Sequence, residues 1–279
     1  MKLPTKTLAI VVTTALFASF LNAANKVSIR AEATEEYVDA RAFDGTKKIQ
    51  TYQFMKGRYF PGDVKRITLE NFAFMDVLKD MAVHLQKQNF QPNLEYGEGD
   101  LVLVVHYGVT HHQNDYPELW GYTPLQEMGF LAFANEKFNK DPIRWYKNKN
   151  LWSTQFKARL LGMEEAYDWK HQFSDYDLSL MIDEPRYFVV LMAYDLPLAK
   201  QGTLKLHWIT RYSIRATGQP YDRAIKYMNE IAGDFFGKNL DRLNKKFPAD
   251  DSKVEIGEIE VLEFEPKVLD YSYFERNLN

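Results

Sequence analysis

Three of the chain's six histidines fall close together, at His106, His111 and His112, where the stretch GDLVLVVHYGVTHHQ (residues 99–113) runs out of branched apolar residues. Neutral imidazole is a common metal ligand, and a zinc site takes three or four ligands in tetrahedral geometry. On a strand, side chains alternate between faces, so His106 and His112 share one face and His111 points away. Asp115 or Glu118, beyond a turn, or His207 from a neighbouring strand, would complete a site for metal-dependent hydrolysis. The competing reading makes His106 a hydrogen-bonded sheet residue and leaves His111 and His112 at a solvated strand end. There is no H-E-x-x-H and no other fixed ligand spacing. The stretch therefore reads first as a core strand and second as a candidate metal site.

Other chemistry has less to stand on. No G-x-S-x-G elbow, phosphate-binding loop or dinucleotide fingerprint is present. Glu164 with Glu165, and Asp175 with Asp177, are carboxylate pairs of the kind glycosidases use, but they lie in a polar stretch and read as solvated. No residue is assigned a catalytic role and no cofactor is expected. The chain has no cysteine, which excludes disulfides, a thiol nucleophile, a thiolate metal site and the acylated cysteine of a lipoprotein.

The second candidate surface is aromatic. Four of the five tryptophans, Trp120, Trp145, Trp152 and Trp169, lie between residues 111 and 185. Trp120, Tyr122, Trp145, Tyr146 and Trp152 would make a platform for a protein partner or a glycan ring, since such side chains dominate interface hot spots. The alternative is a satellite core that holds the segment on the sheet.

Those residues must be positioned by a fold. At 279 residues the chain can bury a substantial core in one large domain or two small ones. Lys2 and Lys6, the uncharged apolar run 7–21 and the small residues ending at Ala23 match an exported protein's signal peptide, residues 1–23, that is removed, the alternative being an uncleaved N-terminal anchor. With it gone, the protein is expected in the periplasm or medium, not integral to a membrane. The net charge is −3, and residues 249–279 hold nine acidic and three basic side chains. The body is thus near neutral and lacks the basic footprint of a nucleic-acid binder.

Residues 24–48 are polar and read as a lead-in linker. Ile49, Tyr52, Phe54 and Tyr59 mark a strand within 47–59, ended by Pro61-Gly62. Phe74, Leu78, Met81 and Leu85 recur on one face of a helix over 70–90, with His84 beside it. Residues 100–110 form a strand buried on both faces. Residues 111–185 read as a long insertion with some helix, including 153–169. Residues 186–196 and 204–216 form a hairpin around a turn at 201–203. Ala224, Met228, Ile231 and Phe235, extended by Leu240 and Leu243, predict a helix over 221–247. The alternating stretch 253–265 suits an edge strand whose charges prevent sticking, or a tail that adds a strand to a partner.

The strand TYQF, the helix ending in LQKQNFQP and the following GDLVLVVHYGVTHHQ resemble the opening of the DUF4136 family of bacterial envelope proteins. DYPELWGYTP resembles that family's Tyr/Gly/Trp-rich segment. GTLKLHWITRYSIRA is similar to its strand pair, and MNEIAGDFFGKNLDRLNKKFP to its closing helix. The resemblance spans roughly residues 50–110 and 186–248. It implies an α/β sandwich and an envelope location, and carries no activity. Family members are often lipoproteins, from which this cysteine-free chain departs.

The sequence thus predicts a single α+β domain over 49–248: a mainly antiparallel sheet, two helices on one face, an insertion at 111–185 and an acidic C-terminal tail over 249–279. The function it suggests is non-enzymatic binding of an envelope protein. Metal-dependent hydrolysis and carbohydrate binding are the alternatives.

Overall fold

The computed structural model describes residues 26–43, 46–60, 74–110, 154–167, 176–218, 220–240, 242–246, 266–269 and 273. In chain order the elements are β1 (Val27–Ala33), α1 (Glu35–Arg41), β2 (Ala42–Phe43), β3 (Thr46–Lys47), β4 (Gln50–Phe60), α2 (Phe74–Gln86), β5 (Phe90–Pro92) and β6 (Leu101–Val109). Then come α3 (Thr154–Leu161), a 3₁₀ turn (Glu164–Tyr167), α4 (Tyr176–Asp183), β7 (Arg186–Asp195), α5 (Leu196–Lys200), β8 (Leu206–Arg215), α6 (Tyr221–Gly233), β9 (Asn244–Lys246) and β10 (Val268–Leu269).

The main sheet runs β10-β4-β6-β7-β8-β1-β9, with β5 also on β4. From β6 through β7, β8 and β1 to β9 every pairing is antiparallel. Around β4 every pairing is parallel, to β5, β6 and β10. The class is α+β, as the sequence predicts.

Period-two burial explains the centre. In β6, Leu101, Leu103, Val105, Tyr107 and Val109 enter one core while Val102 and Val104 enter another. β7 divides likewise, with Val189, Leu191 and Ala193 on the first side and Phe188, Val190 and Met192 on the second. Strands apolar on both faces need cover on both. On the first face, Val77, Leu78, Met81 and Leu85 of α2 pack beside Ala224, Ile225, Met228 and Ile231 of α6. This is the expected pair of helices. The second face is covered too, by Ala158, Leu160 and Leu161 of α3, Leu178 and Ile182 of α4, and Leu196 and Ala199 of α5. The sheet is therefore the middle of three layers.

Four expectations need correction. The lead-in linker at 24–48 contains β1, whose Val27, Ile29 and Ala31 are fully buried. β1 pairs with β8 along Ser28–Ala33. The helix placed at 221–247 ends at Gly233, and the chain turns through Gly237 at φ +67° before Asn244–Lys246 joins β1 as a strand. The helix placed at 153–169 stops at Leu161, where Gly162 adopts φ +71°, and a 3₁₀ turn follows. The acidic tail is not wholly outside the domain, because Val268–Leu269 pairs with β4 and Leu269 is buried in the second core. The hairpin is confirmed, though α5 occupies its connection, with the Asp195 carboxylate accepting from the Leu198 N–H at 2.8 Å.

Candidate functional site

His106 lies on the second face of β6, buried at the end of the sheet from which the insertion leaves. β4 shifts register between Lys56 and Tyr59. That irregularity aims the Arg58 N–H at His106 Nδ1, 2.9 Å away. Gly57 makes it possible, since a Cβ there would sit 2.7 Å from the Val105 carbonyl oxygen and 2.8 Å from His106 Nδ1. Accepting this bond commits the Nδ1 lone pair and places the ring hydrogen on Nε2. Burial, with a smaller push from the Arg58 charge, lowers the His106 pKa to about 3. The imidazole is a neutral strut that holds an irregular strand.

The register then builds a polar band. His106, Val190, Arg211 and Arg30 are successive partners across β6, β7, β8 and β1. One step on, Gly108, Phe188, Ser213 and Ser28 align in the same way. Arg211 is fully buried, ion-paired to Glu32 at 2.6 Å and to Glu164, and donates to the Arg159 carbonyl oxygen at 2.6 Å. Burial opposes its charge, but Glu164 and Glu32 outweigh that and raise its pKa. Arg30 reaches Glu165 at 2.7 Å and Glu32 at 3.3 Å. Arg186 donates to Ser213 Oγ at 3.0 Å, Ser28 Oγ at 3.4 Å and the Ser213 carbonyl oxygen at 3.2 Å. Burial pulls its pKa down to about 10, against the pull of Glu184.

This band fastens the chain on both sides of residues 111–153. At the exit, the Thr110 N–H donates to the Arg186 carbonyl oxygen at 2.8 Å, and Thr110 Oγ1 accepts the Arg186 N–H at 3.0 Å. At the return, α3 and the 3₁₀ turn dock through Arg211 and Arg30. Gly162 lies so close to β1 that a Cβ would sit 2.4 Å from the Arg30 Cβ.

The remaining sequence-predicted residues separate. His207 is four residues from Arg211 along β8, about 13 Å at strand spacing, so it does not approach His106. Its Nε2 lies 3.3 Å from Asp195 Oδ2. Glu164 and Glu165 are bound to arginines and so do not form an acid–base pair. His111, His112, Asp115, Glu118, Trp120, Tyr122, Trp145, Tyr146, Trp152 and Asp175 lie outside the described residues. Among the described residues no group of three or more His, Asp or Glu is arranged to hold a metal ion. Sequence reasoning missed Arg30, Glu32, Arg186 and Arg211. For Arg30 and Glu32 the signal was a polar side chain at every second position of an otherwise apolar strand, as in VSIRAEA.

No family model matches the chain, and no curated protein matches it. Among solved structures, the chain is similar to the crystal structure of a PDZ domain protein from Parabacteroides distasonis. That match has 9% identity and a TM-score of 0.34, and covers 80% of this chain. The chain spans 39% of that protein's length.

Proposed function

We propose that the protein is an exported, non-enzymatic binding protein of the cell envelope, whose three-layered body holds residues 111–153 as a contact surface for a protein partner. The observation that carries the reading is the anchorage of the chain on both sides of residues 111–153. Thr110 is locked to Arg186 at the exit, and Glu164 and Glu165 are locked to Arg211 and Arg30 after the return. Scaffolds that fix both ends of a long segment reduce the ordering cost when that segment binds. The segment carries Trp120, Tyr122, Trp145, Tyr146 and Trp152, side chains of the type that anchor interfaces. Export is supported by the N-terminal pattern, and the envelope by the DUF4136 resemblance. No helix among the described residues is long and apolar enough to cross a membrane.

The test is crosslinking of the tagged protein in its host, followed by capture from the envelope fraction and sequencing of the mature N-terminus. The expected result is a chain beginning at Ala24 and a reproducible partner that a Trp120→Ala, Trp145→Ala, Trp152→Ala triple variant no longer captures. A partner retained by the folded triple variant would overturn the assigned surface. A cytoplasmic chain with residues 1–23 intact would overturn the location.

A further inference from the structure

At the end of the sheet opposite Thr110, α1 lies over the start of β8. Of its seven residues only Tyr37 and Arg41 are buried, and both carry polar tips. The Tyr37 hydroxyl donates to Gln50 Oε1 at 2.5 Å. The Arg41 guanidinium carbon lies 3.7 Å from the Phe90 ring centroid, and its Nη2 donates to the Gln88 carbonyl oxygen. No carboxylate among the described residues pairs with that guanidinium, and a buried charge without one is costly. Both tips regain water when the helix lifts. An element that buries so little apolar surface of its own opens locally, well below the free energy of global unfolding.

The residue on which α1 rests is His207. Its ring centroid is 5.0 Å from that of Tyr37. Its carbonyl oxygen accepts the N–H of Thr34, the residue that caps α1. On its other side stands Asp195. A carboxylate only accepts, so Nε2 carries the hydrogen that spans the 3.3 Å to Asp195 Oδ2. The other oxygen of Asp195 takes the Leu198 N–H at 2.8 Å, which fixes the carboxylate at the start of α5. Nδ1 is left with its lone pair, buried and without a hydrogen-bond partner among the described residues. The charges around the ring are Asp195 at the end of β7, Lys205 just ahead of β8 and Glu36 of α1, the last two paired with each other at 2.8 Å. Burial lowers the His207 pKa, against the pull of Asp195. A proton arriving at Nδ1 would add a charge, which Asp195 offsets, and a buried donor, which nothing accepts. An unsatisfied buried donor is destabilising. Of the two neighbours of the ring, Asp195 is held by β7 and α5, and α1 is the one that can leave.

We propose that His207 is an acid-operated latch for α1, in which a proton at Nδ1 favours the state where α1 has left the sheet and the ring meets water. With α1 lifted, the ring titrates near the ordinary histidine value of about 6.5. With α1 in place it titrates lower, so lifting becomes easier as pH falls through that value. The test is amide hydrogen exchange of the full chain purified from its host, at pH 7.5 and 5.5, corrected for the intrinsic exchange rate. The expected result is that Glu35–Arg41 is less protected than β7 at both pH values, and that its protection falls by about threefold to tenfold on acidification. In His207→Gln, which keeps a donor for Asp195 and takes up no proton, that fall should vanish. An α1 as protected as β7 would mean that it opens only with the whole molecule, and would overturn the latch. So would a parent chain whose α1 ignores pH, or a fall that persists in His207→Gln. Should His207→Gln fail to fold, the His207 ring and the amides of Val38–Ala40 are followed by NMR in the parent. A shared titration midpoint supports the latch, and amides unmoved while His207 titrates overturn it.

Discussion

His106 and His84 both sit in the folded protein as neutral rings. Burial lowers His106 to about 3 and His84 to about 4, with the charges of Arg58 and Lys87 adding to each. In the unfolded chain both titrate near the ordinary histidine value of about 6.5. Between these values the unfolded state binds more protons, so stability is full above about pH 6.5 and falls as pH drops towards 4. Each histidine adds a slope of up to about 1.4 kcal/mol per pH unit across that window. Chemical denaturation from pH 7.5 to 4.5 should show this slope, and His84→Gln should flatten it. A midpoint independent of pH would mean that these rings are not buried neutral. The histidine cluster was visible in the sequence. The strut role of His106 was not, because it depends on a register shift in another strand.

At the scale of elements, Arg211 joins three of them. It lies on β8, pairs with Glu32 of β1 and with Glu164 of the 3₁₀ turn, and takes the carbonyl oxygen of Arg159 in α3. Arg211→Met would leave Glu164 without its arginine and Glu32 with only Arg30 of its two arginines. Breaking a buried pair from one side costs about 3–5 kcal/mol. Equilibrium denaturation should therefore shift by that order, and limited proteolysis should cut first around residues 154–167. A change below about 1 kcal/mol, the scale of surface pairs, would show that the network is solvated. The same strand explains an error in the sequence reading. VSIRAEA alternates cleanly, but Ser28, Arg30 and Glu32 made it look like polar linker. The charges proved to face a second protein layer and not solvent. The α2 and α6 stripes were legible because their outer faces do meet solvent.

For the whole molecule, two short strands from distant parts of the chain share the outer edge of β4. β5 pairs at Gln50–Tyr52 and β10 at Phe54–Met55. Deleting residues 249–279 therefore removes more than an acidic tail, because it takes β10 from the sheet and Leu269 from the second core. A chain ending at Pro248 should melt lower and aggregate on heating, since uncovered edge strands recruit other chains. Light scattering during a thermal ramp reads this, and an unchanged profile would show that the tail is dispensable. The sequence conveyed the α+β class, the central hairpin and both first-face helices. It did not convey the third layer. The helix over 153–169 was anticipated, although Gly162 ends it early, but which face of the sheet it covers is specified only by the strands beneath it.

β1 begins at Val27, yet its neighbours in the sheet are β8 and β9, which end at Arg215 and Lys246. As the chain is made, its first strand has nothing to pair with until most of the remainder exists, and such long-range closure is slow. The order of assembly is thus set by the far end of the polypeptide. Residues 50–109 can pair among themselves early, but the sheet closes at β1 only after Leu206–Arg215 has been made.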